Sequence, residues 1–115
     1  MSNRKECCRS LSQWLAPDTF KALAEPSRAA LLIHMAGNDG PHTVSSLATH
    51  LPVDMSVVSR HLRVLREVGV IKAEKHGKEV RLHLDCGDLI RMLRNLADAL
   101  ESCCPPDVCS VKETS

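Results

Sequence analysis

The sequence predicts a mainly α domain with a small β-hairpin wing, and three observations lead there. Apolar residues recur at spacings of three and four through most of the chain, the period switches to two over residues 70–84, and glycine or proline stands near most changes of pattern. With 115 residues, 43% hydrophobic and 25% charged, the chain has material for one globular domain of ordinary size.

Residues 1–16 hold polar and basic groups, the adjacent Cys7 and Cys8, and apolar Leu11, Trp14 and Leu15, which predicts a frayed arm leading into a short helix. Asp18 reads as the cap of a helix over TFKALA. Pro26 reads as the first residue of the next, SRAALLIHMA, stopped by Gly37. NDGPH is a turn, Thr43 caps VSSLATHL, and LPVDM separates it from a helix opening at Ser56 and running to Gly69. VIKAEK and EVRLHL alternate apolar and polar residues about His76-Gly77-Lys78, the pattern of a two-stranded hairpin. Asp85 then caps a last helix with Leu89, Ile90, Met92, Leu93, Leu96, Ala97 and Leu100 on one stripe, which must stop before Pro105-Pro106. The expected organisation is an arm at 1–16, a winged helix-turn-helix body at 17–104 and a flexible cysteine-containing tail at 105–115. The last stripe exceeds what one small core needs, so a homodimer is expected.

A net charge of +1 hides an asymmetry. Residues 60–81 hold seven basic against three acidic groups, while the rest of the chain holds eight against eleven. Such clustering suits the phosphates of a duplex, although a solvated charged surface has the same composition. Trp14 and Phe20 are the only aromatic residues among Phe, Trp and Tyr, so stacking on single strands or RNA is disfavoured. No run approaches the roughly 18 apolar residues of a membrane span, and MSNRKECCRS lacks a secretion signal; a cytoplasmic protein is expected.

Helix, turn, helix and wing can set the second helix in a major groove roughly 12 Å wide. Ser56, Ser59, Arg60 and Arg63 fall on its outward side, with Lys75, His76 and Lys78 at the wing tip suited to phosphates. His61 is open between a DNA contact and a structural histidine against the preceding helix. FKALAEPSRAALL, SVVSRHLRVLREVGVI and KHGKEVRLHL, with Ser59, His61, Leu62, Leu65, Gly69 and Ile71 in register, resemble the ArsR/SmtB family of metal-sensing winged-helix repressors over about residues 18–100. The resemblance implies a cytoplasmic homodimer on an inverted-repeat operator in double-stranded DNA, released when an inducer binds.

The inducer has to be read from this chain's own residues. Where many arsenic-responsive relatives carry C-x-C, this chain has Thr43-Val44-Ser45-Ser46-Leu47; the Asp/His set of zinc-type relatives is incomplete around Cys86, Asp88, Ala99 and Ser102. What remains is Cys103, Cys104 and Cys109, a pair at the end of the apolar stripe and a third thiol beyond a proline turn. Three thiolates suit a soft pyramidal ion such as As(III) or Sb(III), and the segment resembles arsenic-responsive relatives ending in a Cys-Cys pair and one further cysteine. Cys7 and Cys8 form a second candidate cluster, for a second or intersubunit site, and Cys86 reads as an inert buried thiol. Two alternatives keep the fold: a thiol-redox repressor working through a disulfide or persulfide, and a sensor of a soft divalent ion (Cd, Pb, Hg, Zn). A thiol enzyme lacks any anion loop, H-E-x-x-H or Gly-rich nucleotide motif, so no enzyme is expected. A winged helix that binds only protein is the remaining alternative.

Overall fold

A computed structural model describes residues 4–103. Cys104, Cys109 and the expected tail at 105–115 lie outside the described residues. The elements are α1 (Arg4–Trp14), α2 (Pro17–Ala24), α3 (Pro26–Gly37), α4 (Val44–Ala48), α5 (Met55–Glu67), β1 (Ile71–His76), β2 (Glu79–Leu84) and α6 (Gly87–Cys103). Their contacts group them into two compact units: residues 17–88, and residues 4–16 with 89–103.

The first unit holds α2 to α5 and the hairpin. Its core joins Ala22 of α2, Leu31 and Met35 of α3, Leu47 of α4, Val58, Leu62 and Leu65 of α5, Ile71 of β1 and Leu82 of β2. The spacings of four in α3, and of four then three in α5, put each set on one helix face. Each large aliphatic side chain buried this way contributes roughly 1.5–3 kcal/mol. Local signals set the helix ends. α3 starts on Pro26 with the Glu25 carboxylate accepting from the Arg28 N–H at 2.9 Å, and α4 starts in a reciprocal Thr43/Ser46 capping box. α5 stops where Gly69 turns to φ +81°. There the Gly69 N–H bonds the Arg66 carbonyl and the Val70 N–H bonds the Leu65 carbonyl, a Schellman closure.

β1 and β2 pair antiparallel from Ile71↔Leu84 to His76↔Glu79. Gly77, at φ +64°, takes the first position of the two-residue turn, which needs a positive φ. The buried residues lie at the base, Ile71 and Leu82, and alternation fades toward the tip, where Val80 is exposed. His42 adds a third, single-residue rung, its carbonyl accepting from the Leu82 N–H at 2.8 Å.

Several boundaries differ from expectation. Asp18 lies in the first turn of α2 instead of capping it, because Pro17 takes the first helical position, where its missing N–H costs nothing. α4 ends at Ala48, and α5 begins at Met55, one residue before Ser56. α6 begins at Gly87, so Asp85 precedes it by two residues and its N–H bonds the Val70 carbonyl at 2.8 Å, tying the end of the hairpin to its start.

In the second unit the amino-terminal arm is an 11-residue helix, α1. Leu96 and Ala99 of α6 are buried, while Ile90, Leu93 and Leu100 are 47%, 42% and 47% exposed. With exposed Ala97, these three outward residues follow a three-four-three spacing, the seam of paired helices.

Candidate DNA interface and thiol centre

Burial of Val58, Leu62 and Leu65 fixes the rotation of α5 and leaves Ser56, Arg60 and Arg63 exposed, with Ser59 half-buried. Lys75, His76 and Lys78 are exposed at the wing tip. The His76 Nε2 lies 2.7 Å from a Glu74 carboxylate oxygen, a contact that becomes an ion pair when the ring is protonated. Two cations outside the expected set join this surface. Arg66 and Lys72 line, with Arg63, Glu67, Ile71 and Ala73, an open cleft of about 500 Å³ where the end of α5 meets β1. The helical step of three from Arg63 to Arg66 and the outward parity of Lys72 on its strand were the sequence signals for them.

His61 is turned toward α3. Its Nδ1 lies 3.2 Å from an Arg28 guanidinium nitrogen. A guanidinium has only donors, so Nδ1 accepts and the proton of the neutral ring sits on Nε2, 3.8 Å from the Glu25 carboxylate. Of the two roles open to this residue, these contacts are those of the structural histidine. Arg28 also donates from Nε to the Ala22 carbonyl at 2.7 Å and from a terminal nitrogen to the Lys21 carbonyl at 3.3 Å. One side chain thus joins the end of α2, the start of α3 and α5.

A histidine group not singled out in the sequence lies around α4. The His34 ring is 4.0 Å from that of His50 and 5.9 Å from that of His42. Partial burial, then the neighbouring His50 and His42, hold the His34 pKa below its ordinary 6.5. The buried His42 places its Nε2 3.1 Å from the Asn38 carbonyl. Among the described residues, no three His, Cys, Asp or Glu side chains are arranged to hold a metal ion.

The thiols meet in the second unit. Cys7 of α1 and Cys103, the last residue of α6, are joined as a disulfide with Cα atoms 5.4 Å apart. They share an open cleft of about 390 Å³ with Trp14, Arg9, Asp98 and Ser102. Cys8 is exposed and free, and Cys86 is half-buried and free. One member of each expected cysteine cluster therefore stands at the same place, and the sequence distance of 96 residues had hidden it.

A helix-turn-helix domain family matches residues 23–74. The chain is 36% identical over 80 residues to the HTH-type transcriptional regulator CmtR of Mycobacterium bovis, covering 70% of this chain and 66%, just under two thirds, of CmtR. It is 32% identical over 100 residues to the arsenic resistance transcriptional regulator ArsR1 of Pseudomonas putida, covering 84% of this chain and 77% of that protein. Among solved structures, a possible transcriptional regulator for arsenical resistance superposes with a TM-score of 0.60 at 30% identity, over 85% of this chain and 96% of that one. A homodimeric winged helix-turn-helix DNA-binding domain from Mycobacterium bovis superposes with a TM-score of 0.56 at 24% identity, over 85% and 88%.

Proposed function

The chain belongs to the ArsR/SmtB family of winged-helix transcriptional regulators, and from that premise we propose that it is a metalloid-responsive repressor. In this reading a homodimer binds operator DNA and leaves it when cysteine thiolates capture As(III) or Sb(III). α5 enters the major groove with Ser56, Ser59, Arg60 and Arg63 toward base edges and phosphates. Lys75, His76 and Lys78 of the wing follow the neighbouring backbone, and Arg66 and Lys72 add positive charge beside Arg63. The exposed Ile90, Leu93, Ala97 and Leu100 of α6 meet a second copy. The homodimeric state of a solved structure with this fold supports that assignment.

The observation that carries the inducer assignment is the meeting of thiols at the carboxyl end of α6. Cys103 supplies one ligand, Cys104 follows it in the chain, and Cys109 is the third of the set; Cys7 stands against Cys103, with Cys8 next to it. Capture requires free thiols, so the regulator must be reduced at Cys103 to respond. Thiolates alone satisfy a trivalent soft ion, whereas a structural zinc would call for four ligands. The arsenic-resistance role in the name of a relative 32% identical to the chain supports the same class.

Coupling is reciprocal: an ion that weakens operator binding binds the operator-bound dimer less well by the same factor. A typical 1–3 kcal/mol corresponds to ~5–150-fold in occupancy. The test is anisotropy of labelled operator duplex under anaerobic reducing conditions, titrated with antimonite or arsenite. Release is expected for the wild type and its loss in the Cys103→Ser/Cys104→Ser variant. Undiminished release in that variant refutes the ligand assignment, and release by cadmium or lead but by neither metalloid refutes the ion class.

A further inference from the structure

Among the described cysteines, Cys7 and Cys103 are the joined pair. Each sits on a helix, so backbone geometry and not loop wandering brings them together, with Cα atoms 5.4 Å apart. That separation lies within the roughly 4.4–6.8 Å that a disulfide spans without backbone movement. Both are half-buried beside an open cleft of about 390 Å³, room enough for a small solute to reach the sulfurs. Cys8 is more exposed yet unpaired, and Cys86 is unpaired as well. Exposure alone therefore does not select the pair.

We propose that Cys7 and Cys103 form a reversible dithiol–disulfide site that takes a hydroperoxide as oxidant, and that the bridge withholds Cys103 from metalloid. The second clause rests on the ligand reading above; the first does not. One thiolate attacks the peroxide oxygen, the O–O bond breaks, and a sulfenic acid forms as the alcohol or water leaves. The other thiolate attacks that sulfur, the S–S bond forms, and the sulfenic oxygen leaves as water after taking a proton. Two thiols and one hydroperoxide give one disulfide, one alcohol (or water) and one water; two electrons pass from the sulfurs to the peroxide. A dithiol reductant returns two electrons and two protons and reopens the pair. In a reducing compartment such a bridge is transient and acts as a signal. The chain would then report metalloid only while its thiols are reduced.

The experiment uses the full chain, reduced anaerobically and treated with stoichiometric hydrogen peroxide. Intact mass and peptide mapping locate the bond, and antimonite uptake is measured before oxidation, after it, and after dithiothreitol. The expected result is a loss of two hydrogens, a Cys7–Cys103 linked peptide, loss of antimonite uptake, and recovery of uptake on reduction. In Cys7→Ser, compared with its own reduced state, the same dose should take away no antimonite uptake, and a loss equal to that of the wild type overturns the gating by this pair. Bridging that favours Cys8, Cys86, Cys104 or Cys109 overturns the site, and a Cys7–Cys103 bridge that leaves uptake unchanged overturns the gating. Should the reduced wild type take up no antimonite, the function proposed above falls and the gating with it, while the mapped bridge alone decides the redox site.

Discussion

Replacing Arg28 with alanine should destabilise the winged-helix unit more than any other loss of an exposed or half-exposed charge in it. The guanidinium satisfies the Ala22 carbonyl at 2.7 Å, His61 Nδ1 at 3.2 Å and the Lys21 carbonyl at 3.3 Å. The last of these is exposed, so water replaces the donor at little cost. The other two are part-buried bonds to a charged donor, each typically worth ~1.5–3 kcal/mol. Partial access of water to the half-buried side chain reduces their sum, and the expected loss is about 2–4 kcal/mol. Urea denaturation of the reduced chain, followed by circular dichroism at fixed protein concentration, measures it; concentration is held because the proposed dimerisation would contribute to apparent stability. Arg28→Lys keeps the charge but loses the fork and should fall between the two. A loss below about 0.5 kcal/mol for alanine, within the range of ordinary surface changes, would refute the claim that this side chain fastens α5 to α2 and α3. Because no DNA contact is assigned to Arg28, reduced operator affinity in a still-folded Arg28→Lys would mark it as a positioning residue for the reading helix.

Three further outcomes follow from single positions. Gly69→Ala forces an L residue to φ +81° at the end of α5 and should cost roughly 1 kcal/mol in the same denaturation assay, although a Cβ there meets nothing within 4 Å; an unchanged midpoint would contradict the Schellman closure. Lys72→Ala should weaken operator binding for every sequence alike and lower the slope of log affinity against log salt by about 1, as expected for a single phosphate contact, whereas an unchanged slope removes Lys72 from the interface. His34 has a folded-state pKa below its ordinary 6.5, so the unfolded chain binds more protons and stability falls as pH drops below about 6.5. His34→Gln should flatten that part of the pH profile, and a parallel profile would show that the His34–His50–His42 group does not carry the dependence.

Local patterns in the sequence determined the elements themselves. Pro26 and Gly37 bracket α3, Thr43 and Ser46 cap α4, the four-three spacing of Val58, Leu62 and Leu65 defines the inner face of α5, and a glycine between two alternating runs makes the wing. Each signal acts within a few residues, through backbone geometry or helical period, and is readable without knowing the fold. Competing local signals blur the ends: Asp18 can cap a helix, but a proline just before it is better placed to start one. The tertiary structure alone decided the long-range pairings. Cys7 and Cys103, Arg28 and His61, and the His42–Leu82 rung join residues 96, 33 and 40 positions apart. No periodicity encodes such distances, because packing of whole elements brings those groups together, and it is packing that set one cysteine of each cluster against the other and turned His61 toward Arg28 and Glu25.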